Sequence, residues 1–344
     1  YFTRLKSIHS IRKLTDYENY NLYRMDIDYA YDLDRLIDRG ITDNQSMINA
    51  ILAEALPYLP IHMKAPNFGC SAFCTQGTDG HTLMGRNYDF KNDTSAMLVY
   101  CTPKDGYASV AFAALDNINA NTPDASMAKK LATLTAPFIC LDGMNEKGVS
   151  IAVLTLDSDP TYQQTGKPMI ATTLAIRLVL DRAATTAEAV ELLSKYDMFA
   201  SSGRDYHFYI TDASGDGRVL EYDCNDPARP LTATPSRSVT NFFVMYKDNV
   251  LPNQRNGVYG HGRERYDAIE EILDANAGSI DREIAWQALQ AASQAPNPQD
   301  VTSNTQWSIL YDNTALTAEA VIRRDWNTKT SYNLVSNVAV TDVG

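Results

Sequence analysis

The sequence predicts an α+β fold in which two antiparallel sheets pack face to face and helices cover both outer sides. Three observations carry that expectation. From Cys70 onward, short apolar runs alternate with turn residues, the pattern of strands. Amphipathic stretches with helical spacing interrupt these runs in two pairs. The order is therefore strands, helix pair, strands, helix pair, strands, and sheets that bury one face against each other need helices on the other.

Residues 1–69 read as mostly helical. Within them Asp43–Leu56 places Met47, Ile48, Ile51, Leu52 and Leu56 at helical spacing. Pro57 and Pro60 end that helix, because proline has no N–H to donate and clashes with the preceding turn. Tyr23–Ile41, rich in Asp, Arg and Tyr, shows no clear period. Past Pro66-Asn67-Phe68-Gly69 the character changes. Ser71–Thr75 and Thr82–Tyr88 flank the turn Gly77-Thr78-Asp79-Gly80 as a hairpin. Ala96–Cys101, Ser109–Ala114 and Gly148–Leu156 read as further strands, and Asp116–Met127 as a polar, mobile insertion near one end of a sheet. Pro168–Ala183 and Thr185–Tyr196 form the first helix pair, the second member opening on the capping box Thr185-Thr186-Ala187-Glu188. Strands return at His207–Thr211, Arg218–Tyr222 and Ser238–Val244. Gly262–Ala275 and Asp281–Ser293 form the second helix pair, and Trp307–Tyr311, Ala318–Arg323 and Ser331–Leu334 close the chain. No internal repeat interrupts this order.

Composition narrows the function. With 44% hydrophobic and 21% charged residues the chain is of ordinary globular type. A net charge of -12 repels phosphate backbones, so nucleic acid is not an expected partner. No apolar run reaches the roughly 18 residues that a membrane-spanning helix needs. Cys70, Cys74, Cys101, Cys140 and Cys224 are odd in number and few for 344 residues, which argues against a disulfide framework. The histidines are scattered and no zinc-ligand spacing occurs, so neither a metal nor another cofactor is expected. The first residue is Tyr1, which suggests that a preceding segment was removed. A secreted or cell-envelope location and a cytoplasmic one both remain open.

The chemistry centres on Cys70, at the head of a strand directly after Gly69. Arg86 lies sixteen positions later, in Gly85-Arg86-Asn87-Tyr88-Asp89-Phe90. A hairpin brings Arg86 and Asp89 back beside the cysteine. A guanidinium near a thiol favours the thiolate, and a carboxylate near a free α-amine holds that amine in place. Further elements follow in order: Asp142-Gly143-Met144-Asn145-Glu146-Lys147-Gly148, Val239-Thr240-Asn241-Phe242, Gly262-Arg263-Glu264-Arg265-Tyr266, and Gln306-Trp307-Ser308-Ile309-Leu310-Tyr311-Asp312. Alone, each has a plainer reading. Asn145 and Asn241 suit turns, Arg86 and Asp89 suit a structural ion pair, Arg263 and Arg265 suit a solvated helix, and Trp307 suits a core. The other four cysteines read as buried filler.

Taken together, the six elements resemble the choloylglycine hydrolase, or linear amide C–N hydrolase, group of N-terminal-nucleophile hydrolases. That group includes bile salt hydrolases, penicillin V acylases and, more distantly, acid ceramidase and N-acylethanolamine acid amidase. The resemblance covers about residues 68 to 335. It implies a four-layer αββα sandwich and a chain that cuts itself between Gly69 and Cys70. The freed α-amine would then act as general base on the Cys70 thiol, and the thiolate would form a thioester with the acyl group of a linear amide. The resemblance further implies that Asp89 holds the amine, that Arg86 tunes the thiol, and that Asn145 (backbone) and Asn241 (side chain) stabilise the oxyanion. The later arginine maps to Arg265 or Arg263, and the Arg265-Tyr266 step favours Arg265.

Residues 1–69 are long for a simple bile salt hydrolase and resemble the pro-segment of the acid ceramidase type. The expected division is thus a helical pro-segment, 1–69, and a hydrolase domain, 70–344. The expected partner is a small N-acyl amide: a conjugated bile acid, penicillin V, an N-acylethanolamine or an N-acyl amino acid. Loops 91–95, 116–136 and 200–206 are expected to shape the acyl pocket. Acyl transfer through the same thioester and a non-catalytic binding protein on the same fold are the alternatives. A papain-like protease is disfavoured, because neither His207 nor His261 sits in a suitable signature. Homo-oligomers are common in such enzymes, and no residue pattern here establishes one.

Overall fold

The computed structural model describes residues 2–56, 63, 69–299 and 303–344. Pro57, Pro60 and the 66–68 part of the linker lie outside the described residues. The N-terminal segment contains α1 (Phe2–His9), β1 (Arg12–Lys13), β2 (Leu22–Ile27), α2 (Leu33–Asp38) and α3 (Asn44–Ala55). Next come β3 (Gly69–Gln76), β4 (Thr82–Asp89), β5 (Ala96–Cys101), β6 (Ser109–Ala114), α4 (Met127–Ala132), β7 (Cys140–Asn145) and β8 (Ser150–Leu156). β9 (Met169–Ala171) leads into α5 (Thr172–Arg182), α6 (Thr186–Ser194) and β10 (Asp197–Phe199). β11 (Asp205–Thr211), β12 (Arg218–Tyr222), β13 (Leu231–Pro235), β14 (Ser238–Val239), β15 (Asn241–Phe242) and β16 (Gly260–His261) follow. α7 (Arg263–Ala275), α8 (Arg282–Ala292), β17 (Thr305–Asp312), β18 (Thr317–Ile322), β19 (Thr328–Asn333) and β20 (Val338–Val343) complete the chain.

Local chemistry explains most boundaries. Asp43 caps α3 by accepting from the Ser46 N–H, and the Ser46 hydroxyl reaches back. Thr185 caps α6 by accepting from the Glu188 N–H, whereas the Glu188 carboxylate bonds the Ala184 N–H at 2.7 Å, one residue before the cap. Two expected elements are divided. Met169–Ala171, read as helix, pairs in parallel with β10. The run Ser238–Val244 breaks at Thr240, so that β14 pairs with β3 while β15 pairs with β16. The insertion after β6 is pinned rather than loose: the Ser95 N–H donates to Asn121 Oδ1 at 3.0 Å, and the Asn121 amide donates to Asp116 at 3.1 Å.

Among the described residues the strands form a nine-stranded sheet, β1-β2-β5-β6-β7-β8-β11-β12-β13, and a seven-stranded sheet, β14-β3-β4-β17-β18-β19-β20. Side-chain alternation on the second sheet defines the layers. Cys70, Ala72, Met84, Tyr88, Trp307 and Ile309 point into one core with Met97, Phe112, Met144 and other residues of the first sheet. The intervening Phe73, Leu83 and Leu310 join Ile269, Leu273, Trp286 and Leu289 of α7 and α8. α5 covers the opposite face of the first sheet through Leu174, Leu178 and Val179. The order helices, sheet, sheet, helices is that of a four-layer sandwich.

The N-terminal segment departs from its expected helical character. β2, read without period from sequence, pairs in parallel with β5 along its length, from Leu22↔Ala96 to Ile27↔Cys101. The large sheets are therefore not wholly antiparallel. A parallel neighbour needs no hairpin, only a long crossover, and the segment between β2 and β5 supplies it.

Gly85 marks a close approach. A Cβ there would lie 2.4 Å from the Phe73 ring, which crosses it from the neighbouring strand. Gly85→Ala should displace Phe73 from its α8 contacts and cost about 1–3 kcal/mol, read as a lowered urea midpoint with unchanged slope.

Candidate active site

The β3–β4 hairpin sets the first contacts. Its register pairs Gly69 with Asp89 and Cys70 with Tyr88, so Arg86 lies diagonally across from Cys70 on the same face. Cys70 is completely buried. Its N–H donates to Asn241 Oδ1 at 3.0 Å. Arg265 Nη1 donates to the Cys70 carbonyl at 2.7 Å, and Nη2 donates to the same Asn241 oxygen at 2.8 Å. The Asn241 amide in turn donates to the Thr155 carbonyl at 2.9 Å. Arg263 points elsewhere, to Asp267 at 2.9 Å and the Lys247 carbonyl at 2.9 Å. Of the two arginines, it is Arg265 that reaches Cys70.

Backbone geometry places these groups. Gly260 has φ +109°, and a Cβ there would lie 2.1 Å from the Asn241 carbonyl oxygen. Only glycine permits β16 to lie so close to β15. The helix α7 then begins at Arg263, which puts Arg265 in its first turn, over Cys70.

Beneath the cysteine lies a charged layer. Arg86 Nε donates to Asp142 Oδ2 at 3.2 Å and Nη2 to the Leu141 carbonyl at 3.2 Å, while Nη1 has no partner among the described residues. Asp142 also accepts from Trp307 Nε1 at 3.0 Å and from the Tyr311 hydroxyl at 2.5 Å. Asp89 accepts from the Thr305 hydroxyl and from Gln294, both at 2.7 Å, and lies 3.9 Å from Arg265 Nη1. Burial pushes Asp89 and Asp142 above the usual carboxylate range, against the pull of Arg265 on the first and Arg86 on the second. Burial also pushes the Cys70 thiol up to about 12, with Arg86 opposing it. With Gly69 still attached, the sulfur is a neutral, latent thiol.

Cys70, Arg86, Asp89, Asn241 and Arg265 thus converge, and Asn145 does not. Its N–H is taken by the Val149 carbonyl at 2.9 Å. Its amide holds the Leu180 and Ala183 carbonyls at 3.0 and 2.7 Å, and its Oδ1 accepts from Lys147 and Val149. Asn145 shapes the β7–β8 turn, so the oxyanion role expected for it fails: its donors are already spent. Thr155, five residues beyond Ser150 on β8, is the residue that meets Asn241. At a rise of about 3.3 Å per residue, those five positions span ~16 Å. The motif Asp142–Gly148 was the right segment with the wrong residue singled out. Its contribution to the site is Asp142, which fixes Arg86. Sequence reasoning also passed over Thr155, Gln294 and Thr305, whose types carry no signal until the strands are paired.

Asp142→Ala should leave the Arg86 charge buried without its carboxylate, costing about 3–5 kcal/mol; chemical denaturation of the purified variant measures it.

Comparison with known proteins follows the geometry. Residues 70–226 match the model of the linear amide C–N hydrolases, choloylglycine hydrolase family. The fold is similar to a mutant conjugated bile acid hydrolase from Clostridium perfringens, with a TM-score of 0.57 and 15% identity over 79% of this chain and 96% of that one. It is also similar to penicillin V acylase from Agrobacterium tumefaciens, with a TM-score of 0.54 and 18% identity over 76% of this chain and 85% of that one. At such identities the structural likeness speaks for the fold, and the likeness to the linear amide C–N hydrolases of the choloylglycine hydrolase family rests on the sequence match over residues 70–226.

Proposed function

We propose that the chain is a self-activating amide hydrolase in which Cys70 serves first as its own protease and then as the catalytic nucleophile. One observation carries this reading: both polar groups of the Cys70 main chain are held, the N–H by Asn241 and the carbonyl by Arg265, directly after Gly69. In activation, Cys70 Sγ attacks the Gly69 carbonyl carbon, the Gly69–Cys70 C–N bond breaks, and the nitrogen takes a proton to become an α-amine. Water then hydrolyses the resulting thioester, leaving Gly69 with a carboxylate and Cys70 with a free thiol. The new amine has an unperturbed pKa of roughly 7.7–8.0, suited to taking the thiol proton as Sγ attacks a substrate carbonyl and returning it to the leaving amine. Asp89, opposite Gly69 in the ladder, stands ready to hold that amine. Arg86 lowers the cost of the thiolate, and the Asn241 amide, which here donates to the Thr155 carbonyl and hydroxyl, gives up one of those partners to serve as the oxyanion donor.

The N-terminal segment fits the role of a retained subunit. β2 is a buried strand of the nine-stranded sheet, and a cut at Gly69 breaks none of its pairing with β5. Met47, Ile48 and Ile51 of α3 face Ile139, Leu141 and Val153 across an apolar cavity that Tyr206, Ser201 and Asn117 also line. Leu141 supplies the carbonyl that Arg86 holds, and Tyr206 lies opposite Thr155 in the ladder, so the cavity borders the site. Such a cavity suits the apolar acyl group of an N-acyl amide. The loops 116–136 and 200–206 contribute to it.

Wild-type chain is expected to yield fragments of 69 and 275 residues (344 minus 69) on a denaturing gel, the larger beginning at Cys70 by N-terminal sequencing. They should co-elute in native gel filtration. Cys70→Ala should remain one chain and hydrolyse nothing. A fully active uncut chain would sink the α-amine mechanism. A hydrolysis screen over conjugated bile acids, penicillin V, N-acylethanolamines and N-acyl amino acids identifies the acyl group, and Ile51→Trp, which fills the cavity, should raise KM for the preferred amide about tenfold or more while leaving self-cleavage intact.

A further inference from the structure

His207 and Glu221 are fully buried and take no part in the chemistry assigned above. They meet across the β11–β12 ladder, with Nδ1 2.9 Å from Glu221 Oε2. The second ring nitrogen, Nε2, lies 2.8 Å from the Thr240 carbonyl. A carbonyl only accepts, so Nε2 carries a hydrogen. Nδ1 and the carboxyl group then share one further proton, either as imidazolium and carboxylate or as imidazole and carboxylic acid. In both arrangements the buried pair is neutral overall.

Glu221 has a second task. Its Oε2 accepts from the Val244 N–H at 2.8 Å and its Oε1 from the Met245 N–H at 3.2 Å. The pair therefore fastens the chain on both sides of Asn241. His207 holds the carbonyl of the residue before it, and Glu221 holds the amides three and four residues after it. Between these anchors the chain leaves β14 in the seven-stranded sheet, turns at Thr240 and enters β15. Asn241 sits on that corner, with its side-chain oxygen on Cys70 and Arg265.

We propose that His207 and Glu221 form the positioning unit for Asn241, and that the chemistry at Cys70 depends on it. The proposal rests on the self-cleaving reading above. Without the imidazole, the Thr240 carbonyl and the Glu221 carboxylate each lose a buried hydrogen-bond partner. The corner then loosens, and a displacement of about 1 Å can cost a hundredfold in rate. The surrounding groups have other partners. β8 places Leu154 opposite His207. Asp205, two residues earlier on β11, is occupied by Arg229, Ser158 and Thr161. From α7, Arg265 engages the side chain of Asn241 rather than the ring.

The test follows self-cleavage of the full chain, made by cell-free translation and sampled over time in one buffer. His207→Leu removes both ring nitrogens and should slow cleavage at least tenfold. His207→Gln offers an amide N–H to the Thr240 carbonyl, so it should recover part of the rate. A wild-type chain that stays uncut overturns the self-cleaving reading itself. Wild-type cleavage together with an equally fast His207→Leu chain, or with a His207→Gln chain no faster than His207→Leu, overturns the positioning proposal alone. Near-UV circular dichroism establishes folding, and the Gln variant keeps the test decisive if the Leu variant does not fold.

Discussion

The side-chain oxygen of Asn241 accepts two donors at once, the Cys70 N–H at 3.0 Å and Arg265 Nη2 at 2.8 Å. Much of the site is arranged so that this one oxygen stays where it is. The chain must turn at Thr240 to carry Asn241 out of the seven-stranded sheet, Gly260 must lack a Cβ for β16 to lie against it, and α7 must begin at Arg263 for Arg265 to reach across. The groups are buried, so each hydrogen bond left unmade would carry the full desolvation penalty of its polar atom. A buried, fully partnered network of this kind tolerates little movement, so the main chain of Cys70 is held in one place.

Burial keeps the Cys70 thiol protonated, and charge balance limits how far the nearby arginines offset it. Two buried carboxylates, Asp89 and Asp142, face two arginines, Arg265 and Arg86. The carboxylates are drawn up by burial and back down by the guanidinium groups, so the four charges largely satisfy one another. Burial dominates at Cys70 and pushes its thiol up to about 12, against the partial pull of Arg86 and Arg265. On the self-cleaving reading proposed above, the new α-amine, three bonds from the sulfur, supplies the proton acceptor that these side chains do not.

The N-terminal segment belongs to the same fold rather than to a separate unit. β2 covers what would otherwise be the open edge of β5, and α3 walls the apolar cavity beside the site. An exposed β5 edge would offer unpaired N–H and C=O groups to other chains. Loss of the segment would therefore remove both an edge guard and part of the wall of that cavity.

Some of this was legible in the residues alone. β5 and β6 match their apolar runs, and the Cys70-to-Arg86 spacing places both on one face because antiparallel register and a period of two leave no other choice. Asp43 and Asp281 announce the starts of α3 and α8 through local capping chemistry. What only the tertiary structure decided involves partners distant in sequence. β2 alternates, with Tyr23, Met25 and Ile27 buried and Arg24 and Asp26 half-buried, but so short a run does not say which strand it joins, and only the parallel pairing with β5 decides that. Asn145 and Asn241 are the same residue type in similar surroundings, and nothing local says that one is spent on the Leu180 and Ala183 carbonyls while the other meets Cys70. Arg265 and Arg263 differ only in which side of α7 they occupy once the helix is docked. Local hydrogen-bonding and side-chain periodicity thus determined the elements and the immediate neighbours of Cys70. The packing of two sheets and the corner at Thr240 decided which polar groups Cys70 meets, because those contacts span 171 and 195 residues and no local rule reaches so far.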